Sequence, residues 1–489
     1  MACAILLIAP LIRGGNRQIS LIVLLAFGLL LLAVLCAERI YVSLSNLEID
    51  NREWLMPMWR KVLLMILLFS PLWLGLMHLL PIPVDAWRSL AGREFYFHVL
   101  QAMKISAPGS FSLSLTPDAT WASLLAGVPI VAMFVVAQVL PIKAIKSLLA
   151  ILLIVATLQV LLSVLQLAFG VDSIFYFDLN WARSIVGSFA NRNHLADLLI
   201  MSLPICIYVL FDQSKKKRTS NSTLFLEPRK LVILAFLLFL GFAFMLILLT
   251  TLSRGGLISG FIALGISMGI YLLAQGSKVS RQQRFVYLGL VIVFISLAML
   301  ASGLDGIQSK IGESFMTAAE VRNKISSSTF SAALQFWPWG SGLGSFEAVF
   351  PRFQPEISNE YIEYAHNDYA QLLMELGAAG VVLMVIFAIL LIHQMLKFIR
   401  IYRAEQRLPK NVVMQCFCGV GLLAFLLHSW VEFNMHIPAL AITAAFLSGV
   451  FLRNPARISE LEPKFGTDID RSLHLRADRH RQETFASAQ

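Results

Sequence analysis

Charge is what this sequence has least of. Only 14% of its 489 residues are Asp, Glu, Lys or Arg, 58% are hydrophobic, and the mean hydropathy is +0.75. A soluble globular domain carries about 25% charged and about 45–50% apolar residues, so the deficit excludes that class and leaves a polytopic membrane protein. Cysteine is also scarce. Cys3, Cys36, Cys206, Cys416 and Cys418 lie in or beside apolar runs, and Cys416-Phe417-Cys418 has the wrong spacing for a redox pair. Neither a disulfide framework nor a zinc site is suggested. Internal repeats and low-complexity tracts are missing, and residues 1–12 lack the basic start and small-residue cleavage site of a signal peptide. They read as a short or half-buried first helix. A net charge of +10 would point to nucleic acid in a soluble chain, but in a membrane protein the positive-inside rule accounts for it first.

Long apolar stretches are plentiful. About 20 residues suffice to cross a hydrocarbon core, which predicts helices near 1–12, 19–37, 62–80, 119–140, 147–169, 194–211, 231–252, 256–275, 285–301, 370–396, 412–430 and 437–452. Basic connectors resist translocation and stay in the cytoplasm. Connectors 38–61, 141–146, 212–230, 276–284 and 397–411, with the tail 453–489, hold 27 of the 39 lysines and arginines. Every second connector is the basic one, so the alternation supports the helix assignment and the orientation together. The expected fold is an all-α polytopic membrane protein of about twelve transmembrane helices, with both termini cytoplasmic and long outer segments at 81–118 and 302–369. The membrane domain then spans 1–452, and 453–489 forms a disordered cytoplasmic tail. Outer loops of that length are more often functional than merely connecting.

The outer loops and helix ends concentrate the polar groups. "SIVGSFANRNHLAD" (184–197), "TLSRGG" (251–256), "EVRNKI" (320–325), "FPRFQPE" (350–356) and "YAHNDY" (364–369) all fall on one predicted face. They present Arg192, Arg254, Arg322 and Arg352 as cations, with His194 and His366 as titratable bases. The middles of the predicted helices are nearly free of ionisable residues, which disfavours an ion-coupled transporter. Outward arginines above a hydrophobic bundle suit a lipid-linked diphosphate, because guanidinium binds phosphate oxygens bidentately and stays charged. Histidine can accept a proton from an attacking hydroxyl near neutral pH.

Plainer roles compete for each residue. An arginine at a helix end is often a snorkelling anchor, His194 suits a helix cap, and Tyr361, Tyr364 and Tyr369 suit an interfacial aromatic belt. "GSGLGSF" (340–346) lacks a following Lys-Ser/Thr and reads as turns. The pair Asp468 and Asp470 lies in the cytoplasmic tail, on the wrong side of the membrane. No metal and no cofactor are implied.

The run 336–380, "FWPWGSGLGSFEAVFPRFQPEISNEYIEYAHNDYAQLLMELGAAG", resembles the signature of the bacterial O-antigen ligase and O-antigen polymerase superfamily. "SLSLTPDAT" (112–120), "GSFANRNHLA" (187–196), "TLSRGG" and "LLHSWVEFNMHIPA" (426–439) agree in order and in predicted topology. The resemblance implies a metal-independent, inverting glycosyltransferase of the inner membrane with a periplasmic active site. Its donor would be an undecaprenyl diphosphate-linked glycan and its acceptor a lipid A-core or other glycan. Carried over by position, it implies that Arg254 and Arg322 bind the diphosphate and that His366 is the base or its orienter. Arg192 and Arg352 are second-rank candidates for binding the diphosphate, and Asn367, Asp368 and His194 take supporting places. Glu432 stands where relatives often have Asp, and no role is assigned to it. Ligase is favoured over polymerase, with protein O-oligosaccharyltransferase third and a bicarbonate-type transporter as the reading outside the enzymes.

Overall fold

A computed structural model of the chain describes residues 1–44, 57–106, 108–179, 184–214, 228–275, 289, 314–355 and 361–454. The elements in the first half are α1 (Ala2–Leu11), α2 (Gln18–Leu44), α3 (Met58–Leu68), α4 (Ser70–Leu79), β1 (Pro81–Pro83), α5 (Val84–Ser89), α6 (Glu94–Ala102), β2 (Ser110–Ser112), α7 (Pro117–Val139) and α8 (Ile142–Phe169). The second half holds α9 (Arg192–Ser214), α10 (Pro228–Thr250), α11 (Arg254–Gln275), α12 (Ser314–Gln335), α13 (Phe346–Val349), α14 (Asp368–Leu376), α15 (Ala378–Glu405), α16 (Lys410–His428) and α17 (Pro438–Phe451). Among the described residues, eight helices are long and apolar enough to cross a membrane, and the pair α3–α4, bent by 53°, would make a ninth. The protein is an all-α polytopic membrane protein with one small addition, a two-stranded antiparallel ribbon that pairs Pro81 with Ser112. The span expected at 285–301 lies outside the described residues.

Burial sorts the helices by position. In α9, 83% of the apolar window is enclosed by protein, whereas the corresponding share is 28% for α2, α7 and α15. Helix α9 is thus the bundle's axis, packed by α8, α10, α11 and α16, and α2, α7 and α15 leave most of their apolar surface uncovered by protein. α17 is also central: Pro438, Leu440, Ile442, Phe446, Leu447 and Val450 are all buried, and it packs along α7. Its 14 residues rise only about 21 Å at about 1.5 Å per residue, against a hydrocarbon core of about 30 Å. The loop that precedes it therefore starts below the level reached by longer spans. Irregular backbone at such depth is tolerated only when protein encloses it, and Ser429, Glu432 and Asn434 in that loop have no exposed surface.

The helix expected over 370–396 is two helices. Gly377 interrupts it with φ +56 and ψ −131, separating the short α14 from the spanning α15. The carbonyls at the end of α14 would otherwise lack donors; the glycine-rich loop supplies them, Ser341 N–H to Met374 O at 2.9 Å and Gly342 N–H to Glu375 O at 2.9 Å. The buried Glu375 side chain accepts from Gly344 N–H at 2.8 Å and Phe346 N–H at 3.3 Å. "GSGLGSF" thus serves as a helix cap, in keeping with the turn reading.

The described parts of the two long segments expected outside the membrane fold together. Arg93, with no exposed surface, donates to Ala91 O, Leu113 O and Gly340 O at 2.9, 2.8 and 2.6 Å. Burial lowers its guanidinium to about 10, which still leaves it a cation at neutral pH. Ile325, Phe336, Phe346, Phe350, Ile362 and Met374 form a small core within this module. At the opposite end of the chain, Arg453 and Asn454, assigned by sequence to the tail, are tied to the bundle. Arg453 donates to Ala137 O and Leu140 O at 2.9 and 2.6 Å, and Asn454 accepts from Lys397 at 2.8 Å.

Candidate functional site

Glu432 is the centre of the polar cluster at the outer-module end of the bundle. Its Oε1 lies 2.9 Å from His366 Nδ1, and its Oε2 lies 3.4 Å from Arg322 Nη1 and also accepts from Asn193 Nδ2. Four separate segments thereby meet: the start of α9, helix α12, the strand-like approach to α14, and the loop 429–437. The Glu432 side chain is 1% exposed, while Arg322 is 41% and His366 21% exposed, so the carboxylate is sealed and its two partners keep exposed surface. Burial alone would raise the Glu432 carboxyl; the His366 hydrogen bond and charge, with Arg322 and His194 behind them, outweigh it and hold the group well below the usual carboxylate range. A fixed anion against Nδ1–H leaves Nε2 as the ring nitrogen that can take a proton, the arrangement of a carboxylate-oriented base.

The backbone at His366 is itself unusual. Its φ is +51, in the left-handed region that a side chain other than glycine's rarely adopts. Neighbouring hydrogen bonds hold it: Ala365 N–H to Gln371 Oε1 at 3.1 Å and Asp368 N–H to Ser429 O at 3.0 Å. Such conformations cost about 1–3 kcal/mol and gather at functional sites. Asn367 caps α14, accepting from Tyr369 N–H and Ala370 N–H, and donates to Ser326 on α12 at 3.1 Å. It fixes where α14 begins, and with it the place of His366.

The other expected residues divide. His194 is buried, its ring 4.9 Å from Phe433, which also packs against His366 at 5.1 Å and stacks on Tyr364 at 4.3 Å. It forms part of the wall. Asp368 is paired with His436 at 2.9 Å rather than with His366. Arg192 heads α9 beside Asn193, and Arg254 is the exposed first residue of α11. Arg352 lies elsewhere in the outer module, its guanidinium carbon 3.9 Å above the Phe95 ring and 5.1 Å from that of Phe353. Tyr361 is exposed and donates to Glu347 at 2.5 Å, while Tyr369 donates to Leu426 O at 2.7 Å.

Sequence reasoning passed over Glu432, Asn193 and the pair Asp197–His428. The signal for Glu432 was present: a carboxylate in an outer connector of a chain with so few charges needs a partner, since an unpaired buried charge is costly.

Residues 235–385 match the family model described as O-antigen ligase. The matched stretch includes Arg254, Arg322 and His366 and ends before Glu432. No curated protein matches the chain. Taken with the motifs along its length, the match, which covers about a third of the chain, supports the assignment to the O-antigen ligase and polymerase superfamily.

Proposed function

We propose that this protein is an O-antigen ligase of the bacterial inner membrane, transferring a glycan from undecaprenyl diphosphate to a hydroxyl of lipid A-core at the periplasmic face. The observation that carries the reading is the His366–Glu432–Arg322 contact, a carboxylate-oriented base next to a half-exposed guanidinium. Support for the side of the membrane comes from charge: by the alternation along the sequence, the basic connectors fall on the opposite predicted face.

In the proposed reaction the donor's polyprenyl tail lies against the helices and its diphosphate meets Arg322 and Arg254, with Arg192 behind them. The acceptor hydroxyl gives its proton to His366 Nε2 as its oxygen forms a bond to the anomeric carbon, on the face opposite the diphosphate. The bond from that carbon to the diphosphate oxygen breaks, the electron pair stays with the diphosphate, Arg322 stabilises the added charge, and Arg254 holds the diphosphate equally before and during the transfer. The anomeric configuration inverts. The imidazolium that forms is balanced by Glu432. The guanidinium groups neutralise the leaving group, so the reaction proceeds without a metal.

The test is a reconstituted assay with purified protein, undecaprenyl diphosphate-linked glycan and lipid A-core, read as a gel shift of the lipid A-core. His366→Ala should lower turnover by about 10²–10⁴, Glu432→Gln by a similar order, and EDTA should change nothing. Arg322→Lys should raise the donor concentration needed for half-maximal rate, since lysine lacks the bidentate fork. Retained activity in His366→Ala would overturn the base assignment. Extension of lipid-linked glycan without modification of lipid A-core would make the protein a polymerase instead.

A further inference from the structure

A second carboxylate–histidine pair lies next to the site and has no part in the proton transfer. Asp197 on α9 and His428 at the end of α16 are 0% and 2% exposed, with Oδ1 and Nδ1 3.0 Å apart. The ring's other nitrogen, Nε2, lies 3.5 Å from Ser253 Oγ, and Ser253 Oγ accepts from Gly256 N–H at 3.3 Å. Gly256 N–H donates to Ser253 Oγ, and the two nitrogens of the His428 ring link that hydroxyl to the Asp197 carboxylate.

Ser253 and Gly256 bracket Arg254, the first residue of α11. The turn that delivers it is tight: Leu252 has φ +55, and Ser253 N–H bonds back to Thr251 Oγ1 at 3.3 Å. His428 presses on this turn from the other side. A Cβ on Gly255 would stand 2.7 Å from His428 Cδ2 and 2.7 Å from Val431 Cγ2, so only glycine lets the ring and the loop approach this closely. His428 also begins the chain segment that carries Glu432. The ring therefore bridges the two halves of the proposed site, the Arg254 turn and the loop of the Glu432 cluster, while Asp197 fixes the ring to the bundle's axis.

We propose that Asp197 and His428 are positioning residues that hold the Ser253–Arg254 turn against the Glu432 loop and so set where the Arg254 guanidinium meets the donor diphosphate. The inference rests on the reading of Arg254 as a diphosphate-binding residue. It predicts a binding defect and not a chemical one, and it predicts that the defect acts through Arg254.

The experiment is a double-mutant cycle in the reconstituted assay, with donor KM and kcat measured for wild type, His428→Gln, Arg254→Ala and the double variant. His428→Gln should raise the donor KM on the order of tenfold with kcat nearly unchanged, and should add little in the Arg254→Ala background, since coupled neighbours are not additive. An equal KM rise in both backgrounds, or a loss confined to kcat, would overturn the proposal while leaving Arg254 in its role. An Arg254→Ala variant with unchanged donor KM would instead remove the reading of Arg254. If His428→Gln does not accumulate in the membrane, Ser253→Ala probes the same link with a smaller change. It should raise the donor KM in the wild-type background alone.

Discussion

At the residue scale, the site depends on which carboxylate meets which histidine. Three such pairs surround the loop 429–437: Glu432–His366, Asp197–His428 and Asp368–His436. Asp368 and His366 are two residues apart in sequence, yet Asp368 turns to His436 and to Met435 N–H, each at 2.9 Å. Glu432 makes a pH dependence testable. Its folded-state pKa is depressed, so its contribution to stability is present above the unfolded value, about 4.3, and is lost as pH falls below that toward the folded value. Between pH 6 and pH 3 the thermal midpoint in detergent should fall, and Glu432→Gln should fall less over the same interval, because it has no carboxylate to protonate. Parallel curves for the two proteins would show that the Glu432 contacts contribute nothing to folding.

At the scale of elements, the break between α14 and α15 decides where His366 sits. A continuous helix over 370–396 would carry the "AHN" segment away from the loop 338–344. Gly377 permits the break by its backbone and by its lack of a side chain: a Cβ there would lie 2.2 Å from Pro338 O. Gly377→Ala should therefore cost about 1–3 kcal/mol for the strained conformation, with a further loss as the loop is pushed off. Gly127→Ala, inside α7 and 3.6 Å from Pro71 at its nearest, should be neutral or stabilising by about 0.5–1 kcal/mol. Thermal midpoints of the two variants check this, and limited proteolysis of the outer module should be faster in Gly377→Ala alone.

At the scale of the molecule, orientation is the claim most open to direct test. In a background with Cys3, Cys36, Cys206, Cys416 and Cys418 replaced, Ser327→Cys on α12 should react with a membrane-impermeant maleimide in intact cells. Lys143→Cys, at the α7–α8 connector, should react only after permeabilisation. The reverse pattern would invert the protein in the membrane and put the proposed site on the cytoplasmic face. The cluster's depth belongs to this scale too, since it follows from the shortness of α17 and from the enclosure of Ser429, Glu432 and Asn434.

The sequence alone determined the class and the resemblance to the superfamily, located the eight long apolar helices, and singled out His366 and Arg322 as candidates. Hydropathy and basic connectors act over windows of about 20 residues, which one segment of chain contains in full. In a chain so poor in charge, each ionisable residue at an outer helix end is also conspicuous. The partner of each charge was decided only by the tertiary structure. Glu432 meets His366, Arg322 and Asn193 across 66, 110 and 239 residues of sequence. Arg352, which shares their predicted face, is drawn instead to Phe95. Which groups meet depends on how α9, α12, α14 and the loop before α17 pack together, and no local pattern records that packing. A buried carboxylate is stable only where its partners converge, and that convergence belongs to the fold as a whole.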